Sequence, residues 1–160
     1  ELGLQTINDE TAENFNRGYK FDVFKEGIKK LQDRGIEVVV HSIFGLPGET
    51  KEDMLKTIDY IAHSGAQGIK FHLLHLMKYT KMAEQYYNGE FELLSEEDYI
   101  DLICEGISMI PEDMVVHRLT GDAPRATLIG PMWSLKKWEV LNAIDKALVD
   151  RDIWQGKNFK

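Results

Sequence analysis

Strand-like stretches recur at a nearly constant spacing in the first half of the chain, and this repeat limits the possible folds more than any other feature. They are ELGLQT (Glu1–Thr6), GIEVVVHSIF (Gly35–Phe44) and GIKFHLLHLM (Gly68–Met77), which begin about 33 to 35 residues apart. A strand–helix–strand unit takes roughly 30 residues. The repeat therefore predicts consecutive parallel strands joined by right-handed helical crossovers.

The segments between these strands have the apolar spacing of amphipathic helices. FDVFKEGIKKLQDRG places an apolar residue every three or four positions and reaches a natural stop at Gly35. In TKEDMLKTIDYIAHSG, Thr50 has the position of an N-cap with Asp53 three residues on, and Gly65 marks the end. Both segments are predicted to be the crossover helices.

The pattern changes after Met77. SEEDYIDLICEGISMI (Ser95–Ile110) predicts a capped helix, MVVHRL a short strand and SLKKWEVLNAIDKALVDRD a terminal amphipathic helix. The linker between Thr120 and Trp133 carries two glycines and two prolines, which is typical of an irregular surface loop. We therefore divide the chain into residues 1–90, with three strand–helix units, and residues 91–160, a C-terminal helical extension with a substrate-side loop.

The predicted strands differ from those of a sheet that is covered on both faces. Side chains alternate along a strand, and each stretch places ionisable or amide groups on one face, whereas doubly covered strands are apolar throughout. One face thus packs against helices and the other lines a cavity, as in a barrel with its chemistry at the carboxyl ends of the strands. A complete eight-unit barrel needs about 250 residues, so we predict an α/β fold that is a partial (β/α) barrel.

Composition and charge narrow the classes of function. With 43% hydrophobic and 29% charged residues, the chain is ordinary for a globular domain. No apolar run approaches the roughly 20 residues of a membrane span, so no membrane partner and a cytoplasmic location are expected. The net charge of −8 disfavours nonspecific binding to nucleic acid. The single cysteine, Cys104, excludes a disulfide framework and a thiolate cluster site built from this chain alone.

The chain opens on a strand at Glu1 rather than on a methionine, as a piece of a longer protein would. A first strand without its upstream neighbour leaves an open sheet edge. Self-association of the chain through that edge is therefore expected.

The motifs GLQT, NRG and GLPGET, in this order and followed by GIKFHLLHLMKYTKMA, resemble the second half of the radical S-adenosylmethionine (SAM) core. The resemblance is strongest to the branch shared by oxygen-independent coproporphyrinogen oxidases and the catalytic subunit of the elongator complex. The tail HRLTGDAPRATLIGPMW resembles stand-alone bacterial elongator-like proteins. The resemblance to the radical SAM core implies a barrel of six strand–helix units, of which this chain supplies the last three. It also implies a CxxxCxxC loop that holds a [4Fe–4S] cluster outside this chain, so the isolated chain is expected to be inactive.

The same resemblance implies roles in cofactor binding. Gln5 matches a position that contacts SAM, and Arg17 matches one that pairs with the SAM carboxylate, which suits the fork of a guanidinium. His41 and Ile43 match positions that hold the ribose and press on the adenine. At the place of His41, coproporphyrinogen oxidases carry an acidic residue instead.

Two further residues, Leu74 and Leu76, match the stretch whose backbone contacts the adenine edge. The alternation of side chains agrees with the resemblance on one point, because it places the predicted cofactor residues other than Arg17 on the cavity face. These residues are Gln5, His41, Ile43, Leu74 and Leu76.

The substrate side of the cavity is assigned from the residues alone. Glu1 and His72 are expected to line it. Alternatively, Glu1 forms a salt bridge across the mouth of the barrel, and His72 is a core histidine whose hydrogen bonds are made within the protein. Arg118, Asp122 and Arg125 lie in HRLTGDAPRA, where a punctuated loop with two arginines is suited to an anionic substrate. Internal bracing of that loop is the alternative.

The function implied by the resemblance is radical chemistry with SAM and a [4Fe–4S] cluster, and kinship to the elongator subunit implies a tRNA wobble uridine as substrate. A non-catalytic binding or structural fragment is one alternative. Another is a piece of an aldolase-like barrel that holds phosphate in the Gly45–Thr50 turn at a helix N-terminus. That barrel needs a catalytic lysine at a strand end, whereas Lys70 lies at a strand start.

Overall fold

The computed structural model describes every residue from Glu1 to Lys160. Its strands are β1 (Leu2–Gln5), β2 (Val39–Phe44), β3 (Gly68–Leu73), β4 (Leu76–Met77), β5 (Val115–Arg118) and β6 (Leu128–Gly130). Its helices are α1 (Asp9–Asn14), α2 (Phe21–Gln32), α3 (Lys51–His63), α4 (Lys81–Tyr87), α5 (Glu96–Met109) and α6 (Lys137–Asp150), with a short 3-10 turn at Met132–Leu135. No helix combines the length and the apolar character that crossing a membrane requires.

The main sheet has four strands in the order β1-β2-β3-β5, and all neighbours are parallel. The predicted parallel strands and both crossover helices are confirmed, including the capping box between Thr50 and Asp53 at the start of α3. The fourth strand, β5, is the short strand predicted in MVVHRL, within the part assigned to the helical extension. It joins the sheet because α5 packs on the same face as α3 and returns the chain in parallel. The division at residue 90 stays a prediction, and the sheet continues across it.

The third predicted strand is interrupted. β3 ends at Leu73, and Leu76–Met77 form β4, which pairs antiparallel with β6 in a separate two-stranded sheet. The placement of the Leu76 side chain on the cavity face of the third strand is therefore wrong, because the residue belongs to this second sheet and is only 1% exposed. The contact of its backbone with adenine stays a prediction. The alternation of side chains could not be extended past Leu73 because the strand ends there.

Helices cover one face of the main sheet. Alternate strand residues such as Val40, Phe44 and Phe71 are buried in a core with apolar side chains from α2, α3, α5 and α6. The intervening residues of β2 and β3 stay partly exposed on the opposite face. The predicted division into a helix-covered face and a polar face is thus confirmed.

β1 forms one edge of the main sheet. Two side chains from the loop after α1 bind its carbonyl groups: Tyr19 Oη donates to Gly3, and Arg17 Nη1 donates to Leu4. These contacts cover part of the edge at which self-association is expected. Self-association stays a prediction.

Candidate functional site

The residues on the uncovered side of the main sheet form a polar face, which is the candidate site. Neighbouring strands are in register there, so that Gly3, His41, Lys70 and Arg118 follow one another across the sheet. We use the name polar face for the side chains of Glu1, Gln5, His41, Ile43, Lys70, His72 and Arg118.

Glu1 connects the first three strands of the polar face. Its carboxylate accepts a hydrogen bond from Lys70 Nζ and lies 3.0 Å from His41 Nε2. The hydrogen bond from Lys70 is the main cause that lowers the pKa of Glu1. Glu1 therefore forms the salt bridge that was one of its two interpretations, and its contact with a substrate stays a prediction.

His41 and His72 stack on the polar face, with ring centroids 5.0 Å apart. Burial is the main cause that lowers the pKa of His72 to about 4, and the charges of His41, Arg118 and Lys70 contribute to the same decrease. Burial also lowers the pKa of His41, although Glu1 partly opposes this effect. Both imidazoles are therefore neutral at pH 7 and can accept or donate a hydrogen bond without carrying charge.

His75 joins this pair, which the sequence did not predict. A Cβ placed on Gly121 would lie 3.2 Å from His75 Cε1 and 3.7 Å from His72 Nδ1, so the loop after β5 passes close to both rings. The alternation rule put His75 on the helix-covered side, but the chain leaves the strand at Leu73. Two histidines close together in a strand and its exit loop were the available signal.

Titration by NMR tests the environment of His72. We expect its Cε1–H resonance to titrate near pH 4, because burial and nearby cations disfavour the imidazolium form. His63 provides an internal control, since hydrogen bonds to Asp59 and Lys160 raise its pKa. A folded pKa below the unfolded value stabilises the protein above about pH 6.5, and this contribution is lost as the pH falls towards 4. If His72 titrates at or above His63, the described environment is wrong.

Gln5 ends β1 in an unusual conformation. Its φ is +62°, a value that non-glycine residues seldom adopt, and Thr6 N donates back to Leu4 O at 2.8 Å. The tight turn holds the Gln5 amide beside Gly3, where a Cβ would lie 2.4 Å from Gln5 Nε2. Gly3 is therefore required for this placement of the amide.

Arg17 lies behind this turn rather than in front of the polar face. Its guanidinium donates to Leu4 O at 3.0 Å, to Thr6 O at 2.6 Å and to Tyr19 O at 2.9 Å, and it pairs with Asp9 at 3.0 Å. Only 2% of the side chain is exposed. Four of the five N–H groups are used, so the bidentate pairing with a carboxylate that the resemblance implies is not available in this conformation. A role of Arg17 in SAM binding stays a prediction.

The turn after β2 contacts the end of β1 through Glu49. Thr6 Oγ1 donates to the Glu49 carboxylate, whose pKa is raised by burial. Sequence analysis missed this contact, although polar residues at the carboxyl ends of neighbouring parallel strands were a signal for it. The N-terminus of α3 is capped by Thr50 and Asp53. The carboxylates of Asp53 and Glu49 place negative charge where the aldolase-like alternative needs to bind phosphate, and they therefore disfavour that site.

The loop after β5 carries the predicted substrate residues. Arg118 is exposed at the end of β5, opposite Lys70 of β3. Asp122 accepts hydrogen bonds from Lys137 Nζ at 2.8 and 3.0 Å, which lower its pKa and tie the loop to α6. The structure thus brings Arg118 near His72 and Asp122 near His75. Arg125 is exposed farther along the loop, and substrate contact by all three stays a prediction.

The remaining predicted cofactor residues lie close to one another. Ile43 is the register partner of His72 and is partly exposed on the polar face. Leu74 N donates to Phe44 O at 2.9 Å, which places Leu74 at the carboxyl end of β2. At this position Gly45 has a φ of +87°, and a Cβ would lie 3.1 Å from Leu94, so the turn needs glycine.

Unpartnered polar atoms mark the capacity of this region for a ligand. They are Gln5 Oε1, His72 Nε2 and His75 Nε2, which are buried without a hydrogen-bond partner. Such atoms are rare in proteins, because each costs free energy unless it is paired. This donor and acceptor set fits a polar, nucleoside-like ligand better than a metal ion, since no three histidine, cysteine or carboxylate side chains are grouped to hold a metal.

Two large cavities lie away from the polar face. One of about 450 Å³ lies between α5 and α6, and another of about 530 Å³ is lined by α3 and Met109. Neither contains an unpartnered buried polar atom of the kind found near Gln5 and His72. The chemistry of the polar face, rather than the volume of a cavity, therefore makes it the candidate site.

Comparison with protein families gives two matches that together cover most of the chain. Residues 1–61 match the radical SAM superfamily, and residues 66–150 match the radical SAM C-terminal domain. The junction between the two matches falls at the end of α3, before the division that we made at residue 90.

Comparison with individual proteins gives matches to longer chains. The protein YtqA of Bacillus subtilis (strain 168) is 49% identical over the whole chain, which corresponds to 50% of YtqA. The tRNA uridine(34) acetyltransferase of Methanocaldococcus jannaschii is 27% identical over 81% of the chain and 24% of the archaeal protein. The chain thus spans about half the length of curated relatives such as YtqA.

One solved structure with the same fold is Elp3 of Methanocaldococcus infernus with an N-terminal deletion. It superposes with a TM-score of 0.83 over 96% of this chain and 36% of the Elp3 chain, at 21% sequence identity. The likeness confirms the parallel α/β architecture.

Proposed function

The chain belongs to the radical SAM superfamily, and on this basis we propose that it is the SAM-binding second half of an enzyme that modifies uridine in tRNA. The cysteine ligands of the cluster would lie in residues that precede Glu1 in the parent protein. The chain by itself would bind but not react, because its single cysteine cannot hold a [4Fe–4S] cluster.

The observation that carries the proposal is the group of unpartnered polar atoms at the ends of β1 and β3. Gln5 Oε1 and His72 Nε2 are buried without partners in a family whose members bind SAM. We assign Gln5 and His41 to the polar part of the cofactor, and Ile43 with the backbone at Leu74 to its adenine. Bound SAM and a reduced cluster would supply the radical chemistry, whereas these residues orient the ligand and exclude water from it.

The tRNA part of the proposal depends on relatives. Proteins named tRNA uridine(34) acetyltransferase match 81% of this chain at 26 to 27% identity. Because the chain has a net charge of −8, RNA must bind either to a local basic patch on this chain or to a basic surface on the rest of the parent protein. Membership of the radical SAM superfamily argues against the aldolase-like alternative. The second candidate function is binding without catalysis, which is the role expected of the isolated chain.

Binding of SAM to the complete parent protein tests the proposal. We expect Gln5→Ala to weaken binding at least about tenfold, because a buried amide contact to a polar ligand is lost. Affinity can be measured anaerobically by equilibrium dialysis with labelled SAM. Asn88→Ala, which removes an exposed amide after α4, is the control and should bind as the wild type does.

Two results would contradict the proposed function. One is the absence of a CxxxCxxC motif upstream of Glu1 in the parent gene, since no other part of this chain can hold the cluster. The other is a reconstituted wild-type protein that does not bind SAM. Unchanged affinity in Gln5→Ala alone would remove Gln5 from the site and leave the family assignment intact.

A further inference from the structure

Tyr79 presents its ring to solvent from a strained backbone. The residue is 97% exposed and has a φ of +67° in the loop between β4 and α4. A bulky residue in the left-handed region is an outlier that costs free energy, and such outliers cluster at functional positions. Burial does not explain this tyrosine, because its ring packs against nothing in the chain.

Tyr79 has cationic residues without carboxylate partners next to it in sequence and in the adjoining loop. Lys78 and Lys81 flank it in sequence, and Lys78 Nζ donates at 3.0 Å to the carbonyl group of Ala126, the residue that follows Arg125. None of these three side chains takes part in an ion pair of the chain. Unpaired cations grouped at one place are notable in a chain with a net charge of −8.

The surroundings of these residues supply little negative charge. Glu84 is the single carboxylate between Lys78 and Tyr87, and Asp122 in the neighbouring loop is neutralised by Lys137. A second exposed ring, Tyr87, lies at the far end of α4 and is 71% exposed. The surface thus combines flat rings with local positive charge.

A cavity of about 250 Å³ opens next to this loop. Its lining includes the amide side chains of Asn14, Asn16 and Gln85 together with Lys81 and His75. Amides present both donors and acceptors, which suits the edge of a nucleobase. His75 connects this cavity to the histidines of the polar face.

We propose that Lys78, Tyr79, Lys81 and Arg125, which we call the Tyr79 patch, bind a single-stranded segment of RNA. A base stacks on the Tyr79 ring, and the three cations contact neighbouring phosphates. Single-stranded RNA is favoured over a protein partner because the patch has no continuous apolar centre, which a protein interface needs. The inference deepens the proposed function, on which its choice of RNA rests.

Binding of a fluorescent anticodon stem–loop RNA with uridine at the wobble position tests the patch in the complete parent protein. We expect Tyr79→Ala to weaken binding about tenfold through loss of stacking, and Tyr79→Phe to bind as the wild type does. Arg125→Gln and Lys81→Gln should each reduce the slope of log affinity against log salt by about 0.7. Trp138→Ala and Lys146→Gln are matched controls, an exposed ring and an unpaired lysine on α6.

The outcomes separate this inference from the proposed function. Equal RNA affinity of Tyr79→Ala and the wild type, or an equal loss in Tyr79→Phe and Tyr79→Ala, would overturn stacking on Tyr79 while RNA remains the substrate class. Failure of the wild type to bind RNA would overturn both the patch and the tRNA substrate. Retention of SAM affinity by Tyr79→Ala, measured in the same preparation, is expected and shows that the variant is folded.

Discussion

Arg17→Ala is expected to lower the free energy of unfolding by about 3 to 5 kcal/mol. The guanidinium is 2% exposed and donates to the carbonyl groups of Leu4, Thr6 and Tyr19. Alanine would remove these three hydrogen bonds and a fourth, to the Asp9 carboxylate, at once, and two of the four hold the part-buried carbonyl groups of Leu4 and Thr6 at the turn that ends β1. Urea denaturation of the ligand-free protein, followed by circular dichroism, measures the change.

Controls for this prediction come from the same chain. Arg34→Ala removes an exposed arginine that binds only Lys30 O and should change stability by less than about 0.5 kcal/mol. Arg17→Lys should rescue little, since an ammonium cannot reach three carbonyl groups from one planar fork. A residue that only binds a cofactor would leave the ligand-free protein unchanged. Wild-type stability of Arg17→Ala would therefore refute the structural role that its contacts indicate.

Tyr99→Ala is expected to destabilise the protein by about 3 to 5 kcal/mol. The side chain is fully buried, and its ring lies 5.4 Å from Trp133 and 6.2 Å from Phe44, which ends β2. Its hydroxyl donates to Leu119 O at 2.7 Å, at the start of the loop that passes the site histidines. Removal of the ring would open a cavity beneath both the β2 turn and that loop.

Tyr99→Phe separates the hydroxyl from the ring. We expect a loss of about 1 to 2 kcal/mol, because only the hydrogen bond to Leu119 is removed. Hydrogen exchange should then be faster in residues 118–125 and unchanged in α2, which Tyr99 does not support. Equal stability of the alanine and phenylalanine variants, or unchanged exchange in the loop, would contradict this role of Tyr99.

Much of the fold could be predicted from local patterns. The crossover helices follow from apolar spacing and from caps such as Thr50, and the strands follow from β-branched runs. The break after Leu73 was missed because Leu74 to Met77 continue the apolar run. β5 was predicted as a strand from MVVHRL, but its membership in the main sheet was missed, since its local sequence does not show which strand it pairs with.

The candidate site was predicted in outline. The two faces of the strands, and with them the placement of Gln5, His41 and Ile43, follow from the period of two. The position of His75 near His72 and the contact of Glu49 with Thr6 could not be predicted in this way, because both depend on where the chain turns after it leaves a strand. A loop direction is a tertiary property.

Arg17 shows most clearly where the sequence stops being informative. The order of residues alone determined that parallel strands alternate with helices and that one face of the sheet is polar, because hydrophobic periodicity and capping act within a few residues. Only the tertiary structure decided that this guanidinium donates its hydrogen bonds to carbonyl groups of its own chain. Hydrogen bonds depend on distances in space rather than on distances along the sequence. The turn at Gln5 places the carbonyl groups of Leu4 and Thr6 within hydrogen-bond distance of Arg17, which therefore uses these N–H groups within the chain.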